Sequence, residues 1–197
     1  MGNERMDESE SLKAYNNIYL EIILRYKEDI EAKEGLYLAD LPKLVTPSDE
    51  SVLLLAREIK NSFPVYTYDD NFSDAARAAY QYAKDKIIDI SLPIQFWLRP
   101  SQTIKYGAGD IFDKAVLLCS VLIALGGISS RIVVVVRDME RHFIVYSEFK
   151  DRIIGINMEK GVKEYRNFDE LFKEINTGSS EETTAYEFND NMYRDIL

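Results

Sequence analysis

Cysteine, histidine and tryptophan each occur once among the 197 residues, as Cys119, His142 and Trp97. A single cysteine excludes an internal disulfide and suits a reducing compartment. One cysteine with one histidine leaves too few soft ligands for a zinc site of the usual kind, so neither a metal nor another cofactor is expected. Basic residues are scarce as well. Lysine and arginine number 24 against 34 aspartates and glutamates, a formal net charge of −10. Nucleic-acid binding needs clustered cations to displace counterions from phosphate, and no such cluster is present, so no nucleic-acid partner is expected. Long hydrophobic runs are missing too. The most apolar stretch, Ala115 to Ile128, falls short of the roughly 20 residues a membrane-spanning helix needs. Met1 to Glu10 is acidic and has no apolar centre, unlike a secretory signal. These absences together lead to the expectation of a cytoplasmic protein without a membrane partner.

What the chain does have is ordinary globular material, 46% hydrophobic and 29% charged residues. Its length suits one domain with an added helix. Three parts are expected: an acidic segment and long helix over 1–35, a folded domain over 36–176, and a mobile Ser/Thr/Glu/Asn-rich tail over 177–197. Within the first part, Leu12, Tyr15, Tyr19, Ile22, Tyr26 and Ile30 recur at three- and four-residue steps, which predicts a helix over 9–33. Its apolar stripe can pack on its own domain or, being close to a heptad, form a homodimer seam. Thr46-Pro47-Ser48-Asp49-Glu50 reads as a helix start, with the helix running to about Asn61. A further helix is expected over 72–89 after Asp69-Asp70-Asn71, packing closely through Ala75, Ala76, Ala79 and Ala83.

The stretch Gly107-Ala108-Gly109-Asp110-Ile111-Phe112-Asp113 reads as a glycine loop that delivers Asp110 as the N-cap of an apolar helix over 110–125, ended by Gly126-Gly127. Three strands follow, Arg131 to Arg137, His142 to Phe149 and Arg152 to Asn157, joined by turns of hairpin length. A last helix is expected near 168–176. A sheet of this kind packed on a buried helix is an α+β arrangement.

This order of motifs resembles the transglutaminase-like superfamily, a papain-type group that carries Cys, His and Asp or Asn in that chain order. The resemblance spans roughly residues 40 to 160. It rests on Thr103-Ile104, Gly107 to Asp110, Asp113, Leu117-Leu118, Leu125-Gly126-Gly127-Ile128, His142-Phe143-Ile144-Val145-Tyr146 and Asn157. It implies a papain/transglutaminase-like core whose nucleophile, base and orienting residue occupy positions 111, 142 and 157. A thiolate at a helix N-terminus is activated by the unpaired N–H groups there, but position 111 is isoleucine. The expected remnant triad is therefore Ile111, His142 and Asn157, without a nucleophile. Cys119 cannot replace it: eight residues on, it lies about 12 Å further along the helix and turned about 80° away.

Individually these residues also have plain structural readings. Asp110 suits an N-cap, Asp113 a loop support or a solvent-facing place in the first turn, and Trp97 and Tyr106 core or cleft wall. The resemblance implies a catalytically inactive module whose remnant cleft, lined by Trp97, Gln102, Tyr106 and Asp110, takes a protein or peptide partner or a small ligand. The alternatives are a hydrolase in which His142 acts as general base, helped by Asp110 or Asn157, and a structural subunit assembled through the N-terminal helix.

Overall fold

The computed structural model describes residues 8–34, 38–91, 93–94, 96–138, 140–176 and 183–197. The chain divides into two units, Met1–Gly35 with Leu92–Phe96, and Leu36–Ser91 with Trp97–Leu197.

In the first unit the expected single helix is two, α1 (Glu8–Arg25) and α2 (Lys27–Glu34). The junction is slight, since Tyr26 N donates to Ile22 O at 3.2 Å and Ile30 N to Tyr26 O at 2.9 Å, the helical i to i−4 pattern. The apolar side chains Leu12, Tyr15, Ile18, Tyr19, Leu20, Ile22, Leu24 and Tyr26 are 43–61% exposed.

The second unit is built around one helix. Following a 3-10 segment, Leu38–Leu44, come α3 (Glu50–Asn61), capped by Asp49, and α4 (Tyr68–Lys86), capped by Thr67. The start of α4 precedes the expected one because Thr67 Oγ1 accepts from Asp70 N, drawing Asp69 and Asp70 into the first turn. All four alanines of its small-residue face are buried. A two-residue strand β1 (Ile88–Asp89), helix α5 (Pro100–Tyr106) and strand β2 (Ala108–Gly109) lead to α6 (Ile111–Ala124). Helix α5 falls in a stretch for which the sequence predicts no element. A seven-residue helix shows little periodicity, and this one is set by Pro100 in its first turn and by Gln102, whose Oε1 accepts from Arg99 N.

Six antiparallel strands make the sheet, in the order β6-β5-β4-β3-β7-β8: β3 (Arg131–Arg137), β4 (Glu140–Phe149), β5 (Arg152–Asn157), β6 (Gly161–Tyr165), β7 (Thr184–Phe188) and β8 (Tyr193–Asp195). Helix α7 (Phe168–Ile175) joins β6 towards β7 and is capped by Asn167. The expectation of a mobile tail is corrected over 183–197. There β7 pairs with β3, Val134 opposite Tyr186, and β8 pairs with β7. Residues 177–182 lie outside the described residues.

Each sheet face has its own core. On one lie Phe112, Val116, Leu118 and Leu122 of α6, with Ile132, Val134, Val145, Ile154, Ile156 and Phe188 of the strands and the inner faces of α3 and α4. On the other lie Val133, Val135, Ile144, Tyr146, Ile153 and Ala185 with Leu171 and Ile175 of α7. The second unit is thus an α+β fold in which α6 touches three helices (α3, α4 and α5) as well as β3 and β4 of the antiparallel sheet.

Candidate functional site

The first turn of α6 is assembled by short-range hydrogen bonds. Gly107 ends α5 in the left-handed conformation (φ +60°), where a side chain is strained. The chain then pairs with β1 in parallel, Ile88 N donating to Gly107 O at 2.8 Å and Ile90 N to Gly109 O at 3.2 Å. Gly109 must be small, because a Cβ there would lie 2.9 Å from the Cβ of Asp113. Asp110 caps the helix: its Oδ1 accepts from Asp113 N at 2.8 Å, while Asp113 Oδ2 accepts from Asp110 N at 3.0 Å. This is a capping box closed by two aspartates.

Asp113 does more than the sequence suggested, since its Oδ1 also accepts from Leu98 N at 2.8 Å. It is buried, not solvent-facing, and ties the approach to α5 onto α6. Burial, with Asp110 alongside, pushes its carboxyl up to about 6 against the opposing pull of the Leu98 and Asp110 N–H groups. One residue on, the Lys114 side chain is 3% exposed and its Nζ meets Asp89 of β1 at 2.6 Å. Nothing in the sequence pattern marked Lys114 as buried, because its partner lies in a strand of two residues.

The proposed cleft residues are distributed among these tasks. Trp97 packs on Phe112, ring centroids 5.2 Å apart, and Phe112 in turn on Phe143 at 5.4 Å. Gln102 spends its Oε1 on Arg99 N at 2.9 Å. Tyr106 is exposed beneath Lys105, whose Nζ lies 5.5 Å from its ring centroid. Asp110 is the cap already described. Three surface cavities, of about 540, 360 and 190 Å³, include none of these residues. Asp151, Arg152 and Glu164 line both the first and the third, and α1 residues such as Ile18 and Ile22 line the second.

Ile111 is the half-buried first residue of α6, as expected. The other two remnant positions are not beside it. Successive strand side chains leave opposite faces of a sheet. Phe143 and Val145 of β4 belong with α6, whereas Ile144 and Tyr146 belong with α7. His142 shares the parity of Ile144 and pairs across the strands with Val135, another residue of the α7 face. The imidazole therefore leaves the sheet on the face opposite α6. The β4 side chain that reaches the first turn of α6 is Phe143, through Phe112. The His142 side chain, 37% exposed, has Glu140 at 4.0 Å and an Arg137 N–H at 3.5 Å from Nε2. Asn157 does not orient it. Its Oδ1 accepts from Glu159 N and Lys160 N in the turn after β5, and its Nδ2 donates to Phe143 O at 3.3 Å. Nor does the structure bring Asp110 to His142.

Cys119 is fully buried, and burial pushes its thiol up, away from thiolate. A buried polar cluster on the α7 face escaped sequence reading altogether. Glu187, 0% exposed, accepts from Tyr146 OH at 2.7 Å, and that phenol oxygen accepts from Arg131 at 2.8 Å. Glu187 Oε1 is ion-paired to Arg194 at 2.6 Å but takes no aligned hydrogen bond. The alternation Thr184-Ala185-Tyr186-Glu187-Phe188 was the available signal for this strand. Among the described residues no three His, Cys, Asp or Glu side chains gather as a metal ion would require, and no helix is long and apolar enough to cross a membrane. The chain matches no protein-family model, and no curated protein matches it.

Proposed function

We propose that this chain is a non-catalytic binding or scaffolding module, built on a papain/transglutaminase-like frame and working in a reducing, cytoplasmic setting. The observation that carries this reading is the sheet lying between the first turn of α6 and the only imidazole. Nucleophilic catalysis of the papain type needs a thiol, a base within hydrogen-bond reach and a group to orient the base. Ile111 supplies no nucleophilic atom, Asn157 is engaged in a turn, and Cys119 is sealed in the core. The polar groups around the α6 N-terminus are likewise used internally, Asp110 and Asp113 on backbone N–H groups and Lys114 on Asp89.

At the position of a nucleophile, Ile111 offers an apolar contact, suited to a peptide, a protein segment or a small ligand. The same reading gives residues 9–33 the part of an assembly segment, with a homodimer as its simplest form. A general-base hydrolase reading draws no support from the contacts described for His142, which are to the charged groups of Arg137 and Glu140.

The test is activity and thiol reactivity together. The purified chain is expected to neither hydrolyse nor transamidate peptide and glutamine substrates. Ile111→Cys is expected to alkylate with iodoacetamide at a rate that is the same with and without His142→Ala. Wild-type turnover abolished by His142→Ala would overturn the proposal.

A further inference from the structure

We propose that the two aspartates of the α6 capping box form a proton-operated clasp on Trp97, closed at mildly acidic pH and loosened towards neutral pH. Acidification fixes Trp97 on Phe112, and a neutral medium frees it to adapt to a bound segment. As regulation of the apolar contact at the α6 N-terminus, this rests on the binding reading above. The motion of Trp97 itself does not.

The first ground is the make-up of the box. A capping box ordinarily pairs a hydroxyl with a single carboxylate or amide. Here both partners are carboxylates, Asp110 accepting from Asp113 N at 2.8 Å and Asp113 from Asp110 N at 3.0 Å. Asp113 is 2% exposed, and Asp110 is half-buried. Two carboxylates that share a site resist ionising together, and the deeper one keeps its proton longer. The shift of Asp113 to about 6 agrees, with burial the larger cause and Asp110 the second.

The charges of the neighbouring elements do not relieve this repulsion. Lys114, next in the chain, is committed to Asp89 of β1 at 2.6 Å. Arg99 and Lys105 at the two ends of α5, Arg57 of α3, Lys86 of α4 and Arg141 of β4 are exposed.

The second ground is what the carboxylate holds. Asp113 Oδ1 accepts from Leu98 N at 2.8 Å, and the preceding residues on each side, Trp97 and Phe112, pack ring on ring at 5.2 Å. One hydrogen bond and one aromatic contact therefore fasten the same two segments. On its other side Asp113 lies against Gly109, which β1 holds through Ile90 N. Residues 96–99 have no regular structure, so they are the part able to lift. The Leu98 and Asp110 N–H groups favour the ionised carboxylate, but burial and Asp110 outweigh them. Ionisation therefore favours the arrangement in which water reaches Asp113.

The experiment follows the emission of Trp97, the only tryptophan of the chain, excited at the red edge where tyrosine is silent. As pH rises through about 6, emission is expected to move to longer wavelength and acrylamide quenching to increase. Asp113→Asn keeps an acceptor for Leu98 N and carries no charge, so it should hold the low-pH emission throughout. Asp110→Asn keeps an N-cap acceptor and removes the neighbouring charge, so the transition should persist with a lower midpoint. His142→Ala should leave the profile unchanged, because the imidazole leaves the sheet on the face opposite α6.

Wild-type emission indifferent to pH, or a transition that survives Asp113→Asn, overturns the clasp. So does a midpoint unmoved by Asp110→Asn, which decides the matter alone if Asp113→Asn does not fold. A transition removed by His142→Ala would belong to the imidazole and also overturns it. None of these results touches the binding reading, which stands or falls on the turnover and thiol measurements.

Discussion

Helices α1 and α6 are both rich in apolar residues, yet one is bare and the other enclosed. Phe112, Ala115, Val116, Leu117 and Leu118 of α6 are buried on every side by α3, α4, α5 and the sheet. Leu12, Tyr15, Ile18 and Tyr19 of α1 are exposed. Apolar periodicity states that a helix needs a covering surface; it does not state whose. The polar edges differ too. The N-terminus of α6 is closed by a reciprocal aspartate box that also holds Leu98, whereas no side-chain cap is described for α1.

The largest expected effect separates the two helices by their surroundings. Phe112→Ala should cost about 3–5 kcal/mol in urea unfolding, the usual range for emptying a packed aromatic site, because Phe112 touches Trp97, Phe143 and Phe188. Tyr19→Ala, measured at a dilution where the chain is monomeric, should change stability by less than about 0.5 kcal/mol. Comparable losses at both positions would mean that α1 is as enclosed as α6 and would end the contrast.

Enclosure of the α6 cap should also appear as a pH response. Asp113 binds its proton more tightly in the folded chain, about 6 against an ordinary 3.8. Its contribution to stability is therefore fully present below the ordinary value and is lost as pH rises through the folded one. Between about pH 4 and 6 the wild type should lose stability relative to Asp113→Asn, whose profile should be flatter. Chemical denaturation at a series of pH values checks this; parallel profiles would show that the cap is open to solvent.

The smallest effect sharpens the reading of the remnant site. Asn157→Ala removes an acceptor from two backbone N–H groups in the β5–β6 turn and should cost about 1 kcal/mol. His142→Ala should stay within about 0.5 kcal/mol, since the contacts described for the ring, to Arg137 and Glu140, are loose. A larger loss at His142 than at Asn157, read from melting temperatures, would reverse the roles assigned to them.

Legibility followed the range of the interaction. Asp49 and Asp110 as N-caps and Gly126-Gly127 as a helix stop are local devices, and the helices they bound appear with small shifts at their ends. The meander β3-β4-β5 was legible for the same reason, each of its turns being two residues long. Lys114 was not legible, because the carboxylate that neutralises it lies 25 residues earlier in a strand too short to show a period. The expected triad failed on parity. Strand side chains alternate with period two, so one residue of register decides the face, and Phe143 holds the place that His142 was expected to hold.

By itself, then, the sequence determined the helices α3, α4, α6 and α7 and the strands β3, β4 and β5, that position 111 has no nucleophile, and that the N-terminal stripe needs a cover. These follow from side-chain chemistry and from contacts within a few residues. The tertiary structure alone decided that residues 184–188 join the sheet beside β3, that the imidazole and the α6 N-terminus lie on opposite faces, and that Glu187 is buried against Tyr146. Each depends on partners 40 or more residues apart or on the register between strands, and backbone hydrogen bonds, identical for every residue, carry no record of that choice until the core selects one face to bury.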